Sequence, residues 1–162
     1  MNEKILSSER MEEISANFRA DKRALVFTNG CFDLLHVGHV RYLQTARALG
    51  DALVVAINGD SSVRELKGAG RPLTPEKERA EIVAALACVD YVVVFPQVRA
   101  TQLLEKLRPA IYVKGGDYTP ETLDSEERAA LGKIGAGIKI LPFAQGRSTS
   151  ALIEKIKQIT PR

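Results

Sequence analysis

Short apolar runs alternate with helical patterns along the whole chain. Each run is four to six residues long and rich in aliphatic side chains, which is typical of strands buried on both faces of a sheet. We therefore predict five strands, at residues 24–28, 52–57, 91–95, 110–113 and 137–141.

The segments between these runs have the apolar spacing and the end signals of helices. Helices are predicted at residues 8–18, 38–49, 61–66, 74–86, 99–107, 124–133 and 148–159. Thr74 is expected to cap the helix at 74–86, with Pro75 in its first position. Gly50 is expected to close the helix that precedes it.

Strands that are separated by crossovers of about a dozen or more residues can pair in parallel. The sequence therefore predicts one α/β domain over residues 1–162, in which residues 1–22 are a leading helix and residues 23–160 a core. We expect this core to be Rossmann-like, with a five-stranded parallel sheet and helices on both faces. Ligands of such folds bind at the carboxyl ends of the strands, near the point where the strand order reverses.

Composition narrows the kind of ligand. The formal net charge is +3, and Lys and Arg are scattered among Asp and Glu, with only 6% aromatic residues. Proteins that bind nucleic acid usually concentrate cations in stripes and interleave them with aromatics, so a small polyanion is the better expectation. The chain has no apolar stretch of about 18–20 residues, no secretory pattern at its start and only two cysteines. We expect a cytoplasmic protein with neither a membrane nor a nucleic-acid partner.

Both histidines of the chain, His36 and His39, lie where the first predicted strand passes into a helix. A helix start offers unpaired N–H groups and a partial positive charge, which favour a phosphate. Gly38 lets the backbone approach a ligand, and Gly30 permits the turn. Two imidazoles in this place are predicted to donate hydrogen bonds to the phosphates of a nucleoside triphosphate.

Other sites were weighed for the same segment. Cys31 and Asp33 could join the two histidines in a zinc site, although their spacing fits no usual zinc pattern. The chain has no Gly-x-x-x-x-Gly-Lys-Ser/Thr loop, and no Gly-x-Gly-x-x-Gly follows the first strand. A phosphate site remains the preferred interpretation.

The segment Asn29-Gly30-Cys31-Phe32-Asp33-Leu34-Leu35-His36-Val37-Gly38-His39 resembles the first motif of the cytidylyltransferase-like nucleotidyltransferase superfamily. The similarity runs from Ala24 to Ile159. Supporting segments are Asn58-Gly59-Asp60, Leu66-Lys67-Gly68, Arg71-Pro72, Glu78-Arg79, Val89-Asp90 and Ser148-Thr149-Ser150. The segment Lys114-Gly115-Gly116-Asp117-Tyr118 is similar to the branch that transfers AMP from ATP to a heptose 1-phosphate and releases pyrophosphate.

The resemblance implies three groups of site residues. The catalytic group is His36, His39 and Lys67. The nucleotide-binding group is Thr28, Asn29, Gly30, Cys31, Phe32, Gly38, Arg79, Ser148, Thr149 and Ser150. The acceptor-binding group is Asp33, Asn58, Asp60, Arg71, Lys114, Gly116, Asp117 and Tyr118. It further implies a Mg²⁺ ion held mainly by phosphates with no assigned protein ligand, a separate sugar kinase, and a homodimer.

Several of these residues have a purely structural alternative. Lys67 is also compatible with a solvated loop lysine, and Arg79 with an ion pair to Glu76 or Glu78. Ser148 and its neighbours suit a helix cap as well as a phosphate site. Loop aspartates such as Asp60 commonly form turns or caps.

The last motif departs from one group of relatives. Relatives that make CDP-glycerol carry Arg-Thr-Glu-Gly before it, whereas this chain has Phe143-Ala144-Gln145-Gly146, followed by Arg147. The difference argues against glycerol phosphate as the acceptor.

A phosphate acceptor explains why no nucleophilic side chain is evident. The second pKa of a phosphate monoester is about 6, so the acceptor is an anionic nucleophile at pH 7 without help from a protein base. The enzyme would supply positioning and charge neutralisation. A cytidylyltransferase for another small phosphate ester and an inactive nucleotide-binding module remain the alternatives.

Overall fold

The computed structural model describes residues 2–116, 118–142 and 148–159, so Asp117 and residues 143–147 of the sequence analysis lie outside the described residues. The strands are β1 (Ile5–Leu6), β2 (Leu25–Gly30), β3 (Ala52–Asn58), β4 (Tyr91–Phe95), β5 (Ile111–Gly115) and β6 (Gly137–Leu141). The helices are α1 (Ser8–Ala20), α2 (Val37–Arg47), α3 (Asp60–Lys67), α4 (Glu76–Ala84), α5 (Thr101–Leu107), α6 (Ser125–Ile134) and α7 (Thr149–Ile159).

The strands form one parallel sheet in the order β1-β4-β3-β2-β5-β6. The parallel α/β architecture is confirmed, but the prediction of five strands is wrong because the sheet of the described chain has six. The additional strand is β1, whose Ile5 and Leu6 pair with Val92 and Val93 of β4. Two residues are too short a run for an apolar pattern to identify, and only pairing to β4 defines them as a strand.

Side chains alternate between the two faces of the sheet and build a core on each. On one face, Leu25 and Phe27 of β2 pack in the core that contains the apolar side chains of α1, α5 and α6. On the other face, Val26 of β2 packs in the core that contains the apolar side chains of α2 and α4. Both faces of the central strands are therefore buried, as the continuous apolar runs predicted.

Strand order reverses at β2, which pairs with β3 on one side and with β5 on the other. The chain winds outward from β2 through β3 to β4 and then crosses back to β5 on the opposite side of β2. Because all these strands are parallel, the ends of β2, β3 and β5 open on the same edge of the sheet, where this class of fold binds its ligands.

The start of α4 differs from the sequence prediction. Pro75 is the N-cap, and no side chain caps the helix, so the prediction of Thr74 as the cap is wrong. The backbone of Thr74 is used otherwise: its N–H donates to Asp33 and its carbonyl accepts from Arg79. Tertiary contacts thus determine this boundary. Among the described helices, none has the length and apolar character needed to traverse a bilayer.

Gly50 follows α2 for a different reason from the expected one. The C-cap of α2 is Ala48, which has ordinary right-handed dihedral angles. A Cβ atom at Gly50 would lie 2.6 Å from the carbonyl oxygen of Ala24 and 2.7 Å from a methyl carbon of Val26. Glycine is therefore needed because the turn packs directly against the start of β2.

We predict opposite effects for two glycine substitutions. Gly50→Ala should lower the free energy of unfolding by about 1–3 kcal/mol, because the new methyl group meets backbone and a core side chain. Gly132→Ala, inside α6 where no atom lies within 4 Å of the added Cβ, should raise it by up to about 1 kcal/mol through helix propensity. Urea unfolding of both variants and the wild type measures the difference, and equal effects would contradict the packing argument.

Candidate functional site

The two histidines cap the N-terminus of α2 reciprocally. His36 is the N-cap residue, and its Nδ1 accepts a hydrogen bond of 3.1 Å from the backbone N–H of Gly38. The Nδ1 of His39 accepts in turn from the backbone N–H of His36 at 3.3 Å. The two residues form a capping box in which imidazole nitrogens replace the usual side-chain oxygens. The spacing His-x-Gly-His therefore has a direct local cause.

This capping assigns the protonation state of both rings. A neutral imidazole has one donor nitrogen and one acceptor nitrogen, so an accepting Nδ1 puts the proton on Nε2. Burial, with a smaller contribution from His36, lowers the pKa of His39 from 6.5 to about 4. The ring centroids of His36 and His39 are 4.0 Å apart. His39 is therefore neutral at neutral pH and presents its Nε2–H as a donor.

The loop between β2 and α2 packs against these rings. The ring of Phe32 lies 5.6 Å from that of His39, measured between centroids. Phe32 has a φ of 47°, an unusual value for a residue with a side chain. Its ring also covers Gly30, where a Cβ would lie only 3.0 Å from a ring carbon. Glycine at position 30 thus makes room for Phe32.

A cavity of about 250 Å³ lies in front of the histidines, and we call it the histidine cavity. Its lining residues are Cys31, Phe32, Asp33, His36, His39, Lys67, Arg71, Ser148, Thr149 and Ser150. Ser148 Oγ accepts from the N–H of Ala151, and Thr149 Oγ1 donates to the carbonyl of Leu34. The start of α7 therefore faces the start of α2 across the cavity, and both helix starts favour bound anions.

Asp33 anchors the loop that contains Arg71 through hydrogen bonds. The carboxylate is almost fully buried and accepts hydrogen bonds of 2.9 Å from the N–H groups of Leu73 and Thr74. It also accepts a bond of 2.7 Å from Arg71 Nε. Burial alone would raise the pKa of Asp33, but these hydrogen bonds and the Arg71 charge hold it below its usual value. These contacts favour an indirect role for Asp33, and acceptor binding by it stays a prediction.

Arg79 also holds loops near the site through buried hydrogen bonds. Its side chain is fully buried and donates to the backbone carbonyls of Cys31, Asn58 and Thr74 at 2.6–2.9 Å. Its ion pair is with Asp60 at 2.7 Å rather than with the glutamates of its own helix. Arg79 thus joins the ends of β2 and β3 to the loop before α4, and its predicted contact with the nucleotide stays untested.

A second cavity of about 320 Å³ adjoins the histidine cavity and shares Cys31 and Lys67 with it. Its lining residues are Asn29, Gly30, Cys31, Asn58, Leu66, Lys67, Val98, Arg99, Lys114, Tyr118, Asp124 and Glu127. Lys114 Nζ lies 5.2 Å from the ring centroid of Tyr118, within cation–π distance. The structure thus brings together predicted residues from the ends of β2, β3 and β5.

Besides Arg79, four of the predicted residues that the structure describes line neither cavity. Thr28 is buried, and its hydroxyl lies 2.7 Å from that of Tyr42. Gly38 is buried in α2, and Gly116, with a φ of 100°, donates its N–H to the carbonyl of Leu141. Asp60 holds Arg79 as described. Asp117 lies outside the described residues.

Sequence reasoning missed three charged residues of the second cavity. Asp124 caps α6, accepts from the N–H groups of Glu126 and Glu127, and pairs with Arg99. Glu127 is buried and lines the cavity together with these two. The helix start at Asp124 was predictable from the sequence, but a capping pattern carries no signal of which helix ends face a ligand.

The described residues contain no group of three or more His, Cys, Asp or Glu side chains that could hold a metal ion. The zinc alternative thus has no ligand cluster in this part of the chain. A divalent cation such as Mg²⁺ is commonly held through substrate phosphates rather than by an all-protein cage. Asp33 is the carboxylate closest in sequence to the histidines. Its oxygens accept hydrogen bonds from Leu73, Thr74 and Arg71.

The family follows from comparison with known proteins. Residues 27–155 match the family model described as Cytidylyltransferase-like. The chain belongs to this family. The resemblance drawn from the His-x-Gly-His segment is therefore confirmed.

Similar curated proteins include the bifunctional protein HldE of Geotalea uraniireducens, 52% identical over 150 residues. This match covers 91% of the chain and 30% of the relative. The bifunctional protein HldE of Helicobacter pylori is 48% identical over 148 residues, or 91% of the chain and 31% of the relative. The chain thus spans about 30% of the length of these relatives.

A similar solved structure is that of the lipopolysaccharide core biosynthesis protein from Thermoplasma volcanium, with a TM-score of 0.63 and 28% sequence identity. The match covers 77% of this chain and 99% of that one. It supports the Rossmann-like assignment of the parallel sheet.

The depressed pKa of His39 predicts a pH dependence of stability in this cytidylyltransferase-like domain. Between pH 6.5 and about 4, the unfolded chain binds a proton at His39 that the folded protein does not. Stability should therefore fall as the pH drops through this window. With a discount for the partial exposure of the ring, the loss is about 1–2 kcal/mol.

The control is His39→Asn, which cannot titrate. Urea unfolding of both proteins from pH 7 to 4 should show that the wild type loses more of its free energy of unfolding than the variant does as the pH falls. A difference that stays constant across this range would contradict the assignment of a neutral, buried His39.

Proposed function

We propose that this protein transfers AMP from ATP to a heptose 1-phosphate and releases ADP-heptose and pyrophosphate. The observation that carries the proposal is the pair of adjoining cavities that share Lys67 and Cys31. Such an arrangement suits two phosphate-bearing substrates whose reacting groups meet at the shared boundary. The similarity to the bifunctional protein HldE and to a lipopolysaccharide core biosynthesis protein supports the choice of acceptor, together with the resemblance of residues 114–118 to the heptose branch.

The acceptor phosphate supplies its own nucleophile. One of its oxygens forms a bond to the α-phosphorus of ATP, and the bond from that phosphorus to the bridging oxygen breaks on the opposite side. Pyrophosphate leaves with the bonding electrons, so no side chain needs to remove a proton. The catalytic task is to align the two phosphates and to stabilise the negative charge that develops on the leaving group.

The histidine cavity suits the triphosphate. His36 and His39 supply Nε2–H donors whose direction is fixed by the capping of α2. The starts of α2 and α7 add the partial positive charge of two helix N-termini. Arg71 lines the same cavity, and we assign it to the phosphates of the nucleotide rather than to the acceptor, a change from the sequence prediction.

The second cavity suits the sugar 1-phosphate. Lys67 and Lys114 are cations that can take its phosphate near the boundary between the cavities. The amides of Asn29 and Asn58 and the hydroxyl of Tyr118 can bind sugar hydroxyls in the same cavity. For Asn29 this is a change from the sequence prediction, which assigned it to the nucleotide. This mixture of cations and neutral polar groups fits a ligand that is charged at one end and hydroxylated elsewhere.

A bound Mg²⁺ would neutralise phosphate charge in the nucleotide. The described residues contain no ligand cluster for it, so we assign its coordination mainly to phosphate oxygens. We further propose that the chain forms a single nucleotidyltransferase domain, and that it acts in the cytoplasm after a sugar kinase, since the acceptor is itself a phosphate ester. The homodimer and the separate kinase chain expected from the sequence stay predictions.

Substrate choice is tested directly by a matrix of ATP, CTP, GTP and UTP against several sugar 1-phosphates and glycerol 3-phosphate, with pyrophosphate release as the readout. We expect rapid release with ATP and D-glycero-β-D-manno-heptose 1-phosphate and little with glycerol 3-phosphate. Preferred turnover of CTP with glycerol 3-phosphate would overturn the heptose assignment. Absence of release in every combination would overturn the proposal of a transferase.

Lys67 is the charged side chain that lines both cavities. Because Lys67→Met removes this charge from the phosphates, it should lower kcat by about a hundredfold. The matched control is Lys77→Met, which removes an exposed lysine on α4 that lines neither cavity. Steady-state pyrophosphate release measures both variants. Normal turnover of Lys67→Met, or an equal loss in Lys77→Met, would contradict the role.

A further inference from the structure

Tyr112 lies in the middle of β5 and is completely buried, yet its hydroxyl reaches two residues that line the second cavity. The hydroxyl lies 3.2 Å from Oδ1 of Asn29 and 3.3 Å from Oε2 of Glu127. Its ring stacks on Phe27 with a centroid distance of 6.1 Å, which fixes the position of the hydroxyl. The side chain thus connects the core of the sheet with the floor of the cavity.

Glu127 is held from the other side. It is 5% exposed, and its Oε1 accepts a hydrogen bond of 3.0 Å from the backbone N–H of Ala100. It also lies in the first turn of α6, where the helix N-terminus favours a negative charge. A buried carboxylate is tolerated only when it is hydrogen-bonded, so Glu127 and the Tyr112 hydroxyl depend on one another.

The hydroxyl of Tyr112 keeps its proton under physiological conditions. Burial, assisted by the negative charge of Glu127, raises the pKa of Tyr112 above its ordinary value. The single proton of the phenolic hydroxyl is therefore shared between Oδ1 of Asn29 and Oε2 of Glu127, at 3.2 and 3.3 Å, in a three-centre hydrogen bond.

The hydrogen bond from Tyr112 orients the side-chain amide of Asn29 at the end of β2. Because Oδ1 of Asn29 accepts from Tyr112, the orientation of the amide is set, and Nδ2 with its two hydrogens is the opposite end. Asn29 lines the second cavity, so this donor end serves that cavity. Its neighbourhood contains the Glu127 carboxylate, which would repel a phosphate but accept a hydroxyl.

We propose that Tyr112, held by Glu127, is a positioning residue that orients the Asn29 amide to donate a hydrogen bond to a hydroxyl of the acceptor sugar. The phosphate of the acceptor is assigned instead to Lys67 and Lys114, the lysines among the lining residues of the same cavity. This inference rests on the proposed function for the identity of the acceptor. The orientation of Asn29 does not depend on it.

The kinetic test uses Tyr112→Phe, which removes the hydroxyl and keeps the stacked ring. The KM for heptose 1-phosphate should rise up to about tenfold, the size expected for one hydrogen bond. The KM for ATP and the inhibition constant of inorganic phosphate should not change. The matched control is Tyr91→Phe, at the start of β4, where the ring packs on Phe18 away from both cavities.

A double-mutant cycle separates positioning from a structural effect. If Tyr112 acts through Asn29, the double variant Tyr112→Phe/Asn29→Ala should have the same acceptor KM as Asn29→Ala alone. Additive effects, or a rise in the inhibition constant of inorganic phosphate equal to that of the sugar KM, would overturn the inference.

Side-chain NMR gives a readout that does not require turnover. The ¹⁵N side-chain amide signals of Asn29, assigned by their loss in Asn29→Ala, should shift in Tyr112→Phe and stay in place in Tyr91→Phe. Unchanged signals in Tyr112→Phe would overturn the inference even in an active enzyme. A wild-type protein that releases no pyrophosphate, but whose Asn29 signals shift in Tyr112→Phe, would contradict the proposed function and support the orienting role.

Discussion

The pairing of β2 with strands on both sides is the constraint on which the site depends. Because β3 and β5 flank it in parallel, residues that are more than 80 positions apart in the chain, such as Asn29 and Lys114, line one cavity. The two buried faces of the sheet then fix the direction of every strand end.

The start of α2 places two imidazoles at this edge of the sheet, where they line the histidine cavity. Reciprocal capping satisfies helix N–H groups that would otherwise lack partners, and the same bonds assign the proton of each imidazole to Nε2. In the proposed reaction the histidines therefore act as directed donors rather than as bases. Such donors suit a reaction between phosphates, in which the acceptor already carries the attacking charge.

Buried charges hold the loops around this site. Asp33 binds backbone N–H groups of the segment before α4, and Arg79 binds three backbone carbonyls from the same region of the chain. Both residues resemble ligand-binding groups in the sequence, since charged side chains near a phosphate motif invite that interpretation. Both are buried, and their hydrogen bonds hold Arg71 and the strand ends in place. Direct contact of either residue with a substrate stays a prediction.

Local sequence patterns predict the five longer strands, the helices of the described residues and the histidine motif at the end of the first long strand. These features depend on local periodicity, capping and turn residues, which neighbouring positions carry. Only the tertiary structure decided that Ile5 and Leu6 form a sixth strand, because pairing with β4 and not composition defines it. Likewise, Thr74 loses its capping role to contacts with Asp33 and Arg79. Glu127 enters the site because α6 packs beside β5, a long-range contact that no local pattern encodes.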